Sequence, residues 1–226
     1  LDGEDGVGLA GDITLTADAG GLVSITGPVT LNAGITIDSS ASNGGITFET
    51  SGTTINGVNT LTLTSGSGAV ALQGAIGTAA GIGNLDINQS GGTGTIEVSD
   101  IGDGGNVGVA GTVNIGNAAT TSITLDGTTY KFDGNAEFDS TATGASIMIT
   151  GGNTVFTTQS DHTLAFSTAD VELSGTDGGS PDVGLTTFTA PGGLTFAGDI
   201  IGKSGMSGTE SLTIETAANN DARSHG

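Results

Sequence analysis

Short runs in which apolar and polar residues alternate extend through most of the chain. Between Gly44 and Asp100 they read I-T-F-E, L-T-L-T, V-A-L-Q, L-D-I-N and I-E-V-S. Alternation at period two is typical of half-buried β-strands, because successive side chains point to opposite faces of a sheet. Gly, Ser, Asn and Thr fill the intervals and favour turns. The pattern therefore predicts many short strands joined by turns.

The strands recur at a nearly constant distance, and three columns of apolar residues follow that period. The first column holds Ile13, Ile37, Leu61, Leu85 and Val109. The second holds Val23, Ile46, Val70, Ile96, Ile123, Ile147, Val171 and Leu194. The third holds Leu31, Ile55, Val113, Phe138, Leu164, Phe188 and Leu212, and it blurs around Ile76 and Ile82. A shared period in separate columns indicates one repeated supersecondary unit.

The prediction is an all-β fold, a single parallel β-helix with three strands per coil, about 24 residues per coil and roughly nine coils. An antiparallel sandwich is the alternative, but it predicts two-residue hairpin turns and no constant recurrence. We expect an acidic Gly-rich entry segment over 1–12 and the solenoid over 13–216. Residues 174–184 have no strand pattern and predict a protruding loop, and 217–226 predict a polar tail or linker.

Composition narrows the possible partners. The formal net charge is -21, and such a surface repels nucleic-acid backbones and anionic lipid surfaces. No stretch reaches the roughly 20 apolar residues of a membrane helix, so membrane insertion is not expected. The chain has 0 Cys, which excludes disulfides, thiolate zinc sites and Cys nucleophiles.

Residues 42–88 resemble filamentous-haemagglutinin-like repeats. The resemblance rests on I-T-F, L-T-L-T-S-G-S-G-A-V-A-L-Q-G-A-I-G and L-D-I-N, and it extends more loosely to about residue 215. Such repeats belong to very large secreted bacterial exoproteins, and the resemblance implies a right-handed parallel β-helix and a role as adhesin or structural filament. Residues 114–127 are also similar to phage tail-fibre repeats.

Calcium is the one cofactor that the sequence suggests. Hard cations take six to eight oxygen ligands, and acidic Gly-rich turns offer carboxylate and carbonyl oxygens. The candidate ligands are Asp2, Glu4, Asp5, Asp100, Asp103, Asp177 and Asp182. None of these turns matches a D-x-D-x-D-G loop, and a hydrated turn is the alternative for each.

No catalytic constellation is evident, although some parallel β-helices are polysaccharide lyases or hydrolases. A lyase needs a Lys or Arg base, and alternation places Lys131 outward, where a solvated side chain is the alternative. Glu137 and Asp139 share a face and form a weak candidate pair for hydrolysis. His162 and His225 lack partners for a triad.

Threonines recur at outward strand positions, and regular Thr arrays on flat solenoids can bind ice. The positions are Thr14, Thr36, Thr47, Thr62, Thr124 and Thr213. Asp86, Glu97 and Glu172 interrupt the columns, so Thr acting as an ordinary β-former is preferred.

The expected function is a non-catalytic structural protein, extracellular or on the cell surface. It would be an adhesin segment or a subunit of a fibre built from end-to-end solenoids, because the sequence shows no cap before Ile13 or after Leu212. The expected partners are further repeats or other copies, and surface glycans. A glycan-binding or tail-fibre-like module is the alternative, followed by a polysaccharide-degrading enzyme.

Overall fold

The computed structural model describes residues 1–3, 5–16, 20–49, 54–159, 161–167, 170–173, 185–202 and 211–215. Within these ranges the chain forms 24 short strands and no helix. All the strand pairs in these ranges are parallel, and each strand inside a sheet pairs with one strand of the preceding coil and one of the following coil. The predicted all-β parallel solenoid is therefore confirmed.

The strands stack into three faces, named here by the order in which the chain visits them. The first face contains β1 (Val7–Leu9), β4 (Val29–Leu31), β7 (Thr54–Asn56), β10 (Ala75–Ile76), β15 (Thr129–Phe132), β18 (Thr154–Thr158), β21 (Leu185–Thr189) and β24 (Ser211–Glu215). The second contains β2 (Ile13–Thr14), β5 (Ile35–Asp38), β8 (Leu61–Thr64), β11 (Leu85–Ile87), β13 (Val113–Gly116), β16 (Ala136–Asp139), β19 (Thr163–Ser167) and β22 (Gly193–Phe196). The third contains β3 (Val23–Ile25), β6 (Ile46–Phe48), β9 (Val70–Leu72), β12 (Ile96–Val98), β14 (Ser122–Leu125), β17 (Ser146–Ile149), β20 (Asp170–Leu173) and β23 (Ile200–Gly202).

The coils are longer and fewer than the sequence predicted. On the second face, Ile13 is connected to Phe196 by seven steps that average about 26 residues. At about 4.8 Å per step, the stack is about 34 Å long. The predicted number of coils was too high because corner loops lengthen some coils. The step from Phe166 to its partner Phe196 is one of these longer steps.

The predicted second column is the third face. Its members pair in register from Val23 to Val171, and Ile200 continues the ladder. Leu194 was wrongly assigned to this column, since it pairs with Leu164 on the second face. A long insertion before Ile200 moved the true partner of Val171 beyond the expected spacing.

The first and third predicted columns each join residues that do not pair with one another. In the first column the error is one of register, because Ile37 pairs with Leu63, whereas Leu61 pairs with Ile35 and Leu85. Alternate residues of one strand all point inward, so a constant period cannot distinguish neighbouring inward positions. The predicted third column also passes to the second face at its members Val113, Phe138 and Leu164.

The core changes from aliphatic to aromatic along the solenoid axis. In the later coils, the Tyr130, Phe156 and Phe188 rings stack with centroids 4.6 and 4.9 Å apart. A second stack joins Phe138, Phe166 and Phe196 at 5.2 and 5.1 Å. These spacings match the distance between stacked strands, so each coil adds one ring to each stack. Edge-to-face contacts join the two stacks.

Polar side chains are buried at the corner where the chain leaves the strands of the second face. Ser39, Ser65, Asn88 and Ser140 are all fully buried there. Asn88 has a φ of 54°, and its Oδ1 accepts a hydrogen bond from the Ser65 amide at 2.9 Å. The Ser65 hydroxyl donates to the Gly68 carbonyl at 2.6 Å, so buried polar groups are paired within and between coils.

Most of the predicted entry segment is described by the structure, whereas the predicted loop and tail are not. Residues 7–9, inside the predicted entry segment, form β1 and pair with β4 on the first face. The predicted loop at 174–184 and the predicted tail at 217–226 lie outside the described residues.

Candidate surface groove on the first face

Two loops interrupt the first face between β10 and β15. On each side of these loops, isolated parallel β-bridges connect residues of successive coils. One series joins Ile76, Ile101 and Tyr130, and the other joins Ile82, Val109 and Phe132. In the first two of these coils, the loops at 77–81 and 102–108 lie between the bridged residues. In the third coil, Lys131 is the one residue between Tyr130 and Phe132. The chain of the two looped coils must therefore leave the plane of the face, and the face becomes continuous again at β15.

Lys131 lies at the base of the second loop. Its amide donates to the Ile101 carbonyl at 2.8 Å, and its carbonyl accepts from the Gly108 amide at 3.0 Å. The loop closes tightly there, because a Cβ on Gly108 would lie 2.2 Å from the Gly102 nitrogen. Gly102 has a φ of 83°, a conformation that favours glycine. The backbone thus fixes Lys131 next to both ends of the loop.

A groove of about 250 Å³ lies against this loop. It is lined by Asp103, Gly104, Thr129, Lys131, Val155 and Thr157. Four of these residues form a two-by-two array, because Thr129 pairs with Val155 and Lys131 pairs with Thr157. Lys131 extends outward between the buried Tyr130 and Phe132, as alternation predicted, and the Val155 side chain is 42% exposed.

Asp103 stabilises the loop through its carboxylate. Its Oδ1 accepts from the amides of Gly105 at 2.7 Å and Asn106 at 2.6 Å, and its Oδ2 accepts from Asn106 Nδ2 at 3.1 Å. These hydrogen bonds, led by the Asn106 and Gly105 amides, hold the pKa of Asp103 below its ordinary value, and the charge of Lys131 adds a smaller effect in the same direction. Asp103 is therefore ionised at neutral pH.

Two of the predicted calcium ligands, Asp100 and Asp103, accept hydrogen bonds from backbone amides. Asp100 Oδ1 accepts from the amides of Thr128 at 2.7 Å and Thr129 at 2.8 Å, at the corner that leads into β15. Asp2 forms an isolated bridge with Thr26, and Asp5 is exposed. The described residues contain no group of three or more His, Asp or Glu suited to a metal. Glu4, Asp177 and Asp182 lie outside the described residues, and calcium binding stays a prediction.

The candidate catalytic residues lie in separate places. Glu137 and Asp139 both belong to β16 on the second face, where Glu137 Oε1 accepts from the Ser167 hydroxyl at 2.8 Å. His162 follows a turn, in which its amide donates to the Gln159 carbonyl at 3.2 Å. His225 and the other two basic residues of the sequence, Lys203 and Arg223, lie outside the described residues.

A carboxylate pair on the third face was not predicted. Burial raises the pKa of Glu97, and the charge of Asp126 in the next coil adds to that effect, while a hydrogen bond with Gln73 opposes it. Asp126 Oδ1 accepts from the Ser99 hydroxyl at 2.9 Å. The predicted second column already aligned Ile96 with Ile123. This register pairs Glu97 with Thr124, and Asp126 follows the end of β14, so the column did not bring the two carboxylates together.

The six predicted threonines are distributed over all three faces. Thr36 and Thr62 are neighbours on the second face, but Thr47 and Thr124 are separated on the third face by Ala71 and Glu97. A denser array lies on the first face, where the outward rows are Thr129, Val155, Thr187 and Thr213, and Lys131, Thr157, Thr189 and Glu215. The sequence did not predict this array, because the predicted third column combined residues of the first and second faces.

Charge also distinguishes the first face. Among its described strand residues, Glu215 in the last strand is the one carboxylate. The strands of the other two faces carry Asp38, Asp86, Glu97, Glu137, Asp139, Asp170 and Glu172. The strands of the first face therefore contribute the least negative charge, while Asp100, Asp103 and Asp133 lie at its corners and loop.

The class of protein follows from the fold alone: the chain is a parallel β-solenoid repeat protein. Comparison with protein-family models, curated proteins and solved structures finds no match. The fold is compatible with a β-helix repeat protein, and the resemblance to filamentous-haemagglutinin-like repeats stays a prediction. In the described residues, no helix is long and apolar enough to span a membrane.

Proposed function

We propose that the chain is a non-catalytic segment of an extracellular or cell-surface fibre or adhesin, in which β-solenoids continue end to end. The next solenoid would be either further repeats of the same polypeptide or another copy. The exposed apolar edges of the terminal coils carry this proposal.

At the amino end, a cavity of about 470 Å³ opens among apolar side chains. It is lined by Leu1, Ile13, Leu15, Leu22, Val23 and Ser24. Ile13 and Leu15 are half-buried, and Leu22 is 63% exposed. In the described residues the outer edges of β1 and β2 have no further coil to pair with, whereas residues 1–3 hydrogen-bond to Ser24 and Thr26 along the edge of β3. Burial of this surface would be favourable, at about 25 cal/mol per Å².

The carboxyl end presents matching surfaces. There β22, β23 and β24 are the last described strands of the three faces, and the inward residues Leu212 and Ile214 of β24 are both more than a third exposed. Because the described strands in a face all run in the same direction, an amino-end coil can add to a carboxyl-end coil in the same orientation. Such contact is heterologous and does not close, so it gives a fibre.

The acidic sides of the solenoid favour this axial arrangement. Carboxylates on the second and third faces would repel the sides of neighbouring rods, whereas the end surfaces are apolar. Association would therefore be directed along the axis at neutral pH.

Electron microscopy of concentrated protein tests the proposal, and we expect fibres whose length grows with concentration. Leu22→Ser combined with Ile214→Ser should shorten them, because both end surfaces become polar. Val58→Ser is the matched control, since Val58 is 80% exposed in the turn between β7 and β8 rather than on a terminal coil. Monodisperse rods one chain long at every concentration would contradict the proposal, as would fibres indifferent to the end substitutions.

A glycan-binding module is the second candidate, and the low negative charge and groove of the first face support it. This role is compatible with a fibre, since each segment would display one groove. A screen for polysaccharide turnover tests the non-catalytic assignment, and turnover abolished by Lys131→Ala would overturn it.

A further inference from the structure

We propose that the Lys131 groove binds a single carboxylate-bearing sugar, of the uronic acid class, within an otherwise neutral glycan. This inference rests on the glycan-binding candidate above and is independent of end-to-end stacking. It is carried by the shape of the groove, the arrangement of its polar groups and the charge of its surroundings.

The loop at 102–108 forms one wall of the groove, and strands of the first face form its floor. Residues 102–108 leave the plane of the face beside β15, and three hydrogen bonds to the Asp103 carboxylate stiffen the loop. Thr129, Lys131, Val155 and Thr157 lie on regular strands and form the floor. The volume of about 250 Å³ is below the ~300–1,000 Å³ of sites for drug-sized ligands, so it suits one sugar ring rather than an oligosaccharide.

The floor offers the contacts that an acidic sugar requires. The Lys131 ammonium has three donors for a carboxylate, and the Thr129 and Thr157 hydroxyls can each donate to and accept from sugar hydroxyls. The exposed methyl groups of Val155 provide an apolar surface for ring C–H groups. The Asp103 carboxylate has about four acceptor positions, of which three are used by the loop, so one remains for a sugar hydroxyl.

Charge selects a carboxylate at Lys131. Lys131 is the one Lys or Arg side chain in the described part of the chain, and Glu215 is the one carboxylate among the described strand residues of the first face. The Asp103 carboxylate lines the same groove, but its three hydrogen bonds are to Gly105 and Asn106 of its own loop and do not involve the Lys131 ammonium. The net charge of -21 repels long polyanions, so the geometry favours an isolated acidic residue over a polyuronate.

Nuclear magnetic resonance titration tests the proposal with D-glucuronate as the probe. D-Glucose and the methyl ester of D-glucuronate are neutral controls of the same ring size. We expect saturable shifts of the Gly104, Lys131 and Thr157 amide signals with glucuronate. Both neutral sugars should bind at least about tenfold more weakly, because they lose the charge-assisted hydrogen bond.

Two variants separate the site from a general charge effect. Lys131→Met keeps the length of the side chain and removes its charge, and it should weaken glucuronate binding at least about tenfold. Lys203→Met removes the same charge elsewhere in the sequence and should leave the affinity unchanged. An unchanged melting temperature in Lys131→Met shows that its fold is retained, and Thr157→Val provides a second, uncharged test of the floor.

Three results would overturn the site: no saturable shifts, equal affinity for glucuronate and its ester, or unchanged affinity in Lys131→Met. The titration uses protein that sedimentation shows to be monomeric, with the end-substituted variant used if the native chain stacks. Failure of the groove and failure of the fibre are then separate results.

Discussion

At the scale of single residues, Tyr130 shows how the solenoid handles a buried polar group. Its side chain is fully buried, and its hydroxyl donates to the Val98 carbonyl at 2.8 Å and accepts from the Gly127 amide at 2.9 Å. Burial is the main reason that the pKa of Tyr130 is raised well above its ordinary value. The phenol therefore links the backbone of two successive coils while its ring begins the aromatic stack.

The raised pKa predicts a specific response to alkali. Above about pH 10, the unfolded chain loses the phenol proton while the folded chain retains it, so stability present below that pH falls as pH rises. Because the chain has 1 Tyr, the near-ultraviolet absorbance of phenolate reports on this residue alone. We expect that absorbance to appear only together with loss of the β-sheet circular dichroism signal. Phenolate formation with an intact β-sheet signal would contradict the burial of Tyr130.

Some residue-scale features could be predicted from sequence and others could not. Alternation correctly placed Lys131 outward between two inward aromatics. The roles of Asp100 and Asp103 were not apparent, because a carboxylate that accepts backbone amides and one that ligates calcium occupy the same kind of Asp-Gly turn. The groove required the two loops and β15 to be aligned across coils, which spacing alone does not specify.

At the scale of elements, the aromatic stacks stabilise the later coils. Phe156 stacks on Tyr130 and Phe188 and meets Phe138 and Phe166 edge to face. Phe48 is equally buried, but none of the ring contacts found in the described residues involves it. The two residues therefore provide a matched pair for measuring what stacking adds to burial.

We expect Phe156→Leu to destabilise the protein more than Phe48→Leu does. Both changes remove similar volume, and an aromatic pair contributes about 0.5–1.5 kcal/mol beyond burial. Counting only the two stacked neighbours of Phe156, Tyr130 and Phe188, the difference should be about 1–3 kcal/mol. Chemical denaturation of each variant, under conditions where the protein is monomeric, measures this difference. Equal losses of stability would show that the rings act only as apolar volume.

The strand register explains why one face was predicted well. On the third face the steps from Val23 to Val171 stay close to the predicted repeat, so a constant period finds the correct partners. On the first face, the step from Ile101 to its partner Tyr130 is longer, because the loop at 102–108 adds residues. The loop adds more residues than the two that separate neighbouring inward positions of a strand, so a constant period then aligns the wrong residues.

At the scale of the whole molecule, an uneven charge distribution accompanies the apolar ends. Carboxylates line the second and third faces, the first face is nearly free of them over its described strands, and the ends are apolar. This arrangement gives each kind of surface a separate role in the proposal. The ends would stack, the acidic sides would keep rods apart, and the first face would contact a glycan.

Acidification should therefore change lateral contacts before it changes axial ones. Towards the sequence pI of about 4.1, carboxylates on the sides become protonated and the repulsion between rods disappears. Glu97 should lead this change on the third face, because burial and Asp126 raise its pKa. We expect single fibres at neutral pH and bundles near the pI, as measured by electron microscopy and small-angle X-ray scattering.

The substitution Glu97→Gln tests whether the third face takes part in bundling. Removing this charge at neutral pH mimics its protonation, so the bundling transition should move to higher pH. Glu137→Gln makes the same change on the second face, and a similar shift there is expected because carboxylates on both faces repel neighbouring rods. Neutral salt should also promote bundles by screening the sides, while the apolar end contacts persist because they are not electrostatic. Fibres that shorten on addition of salt, or rods that stay dispersed at the pI, would contradict this division between apolar ends and acidic sides.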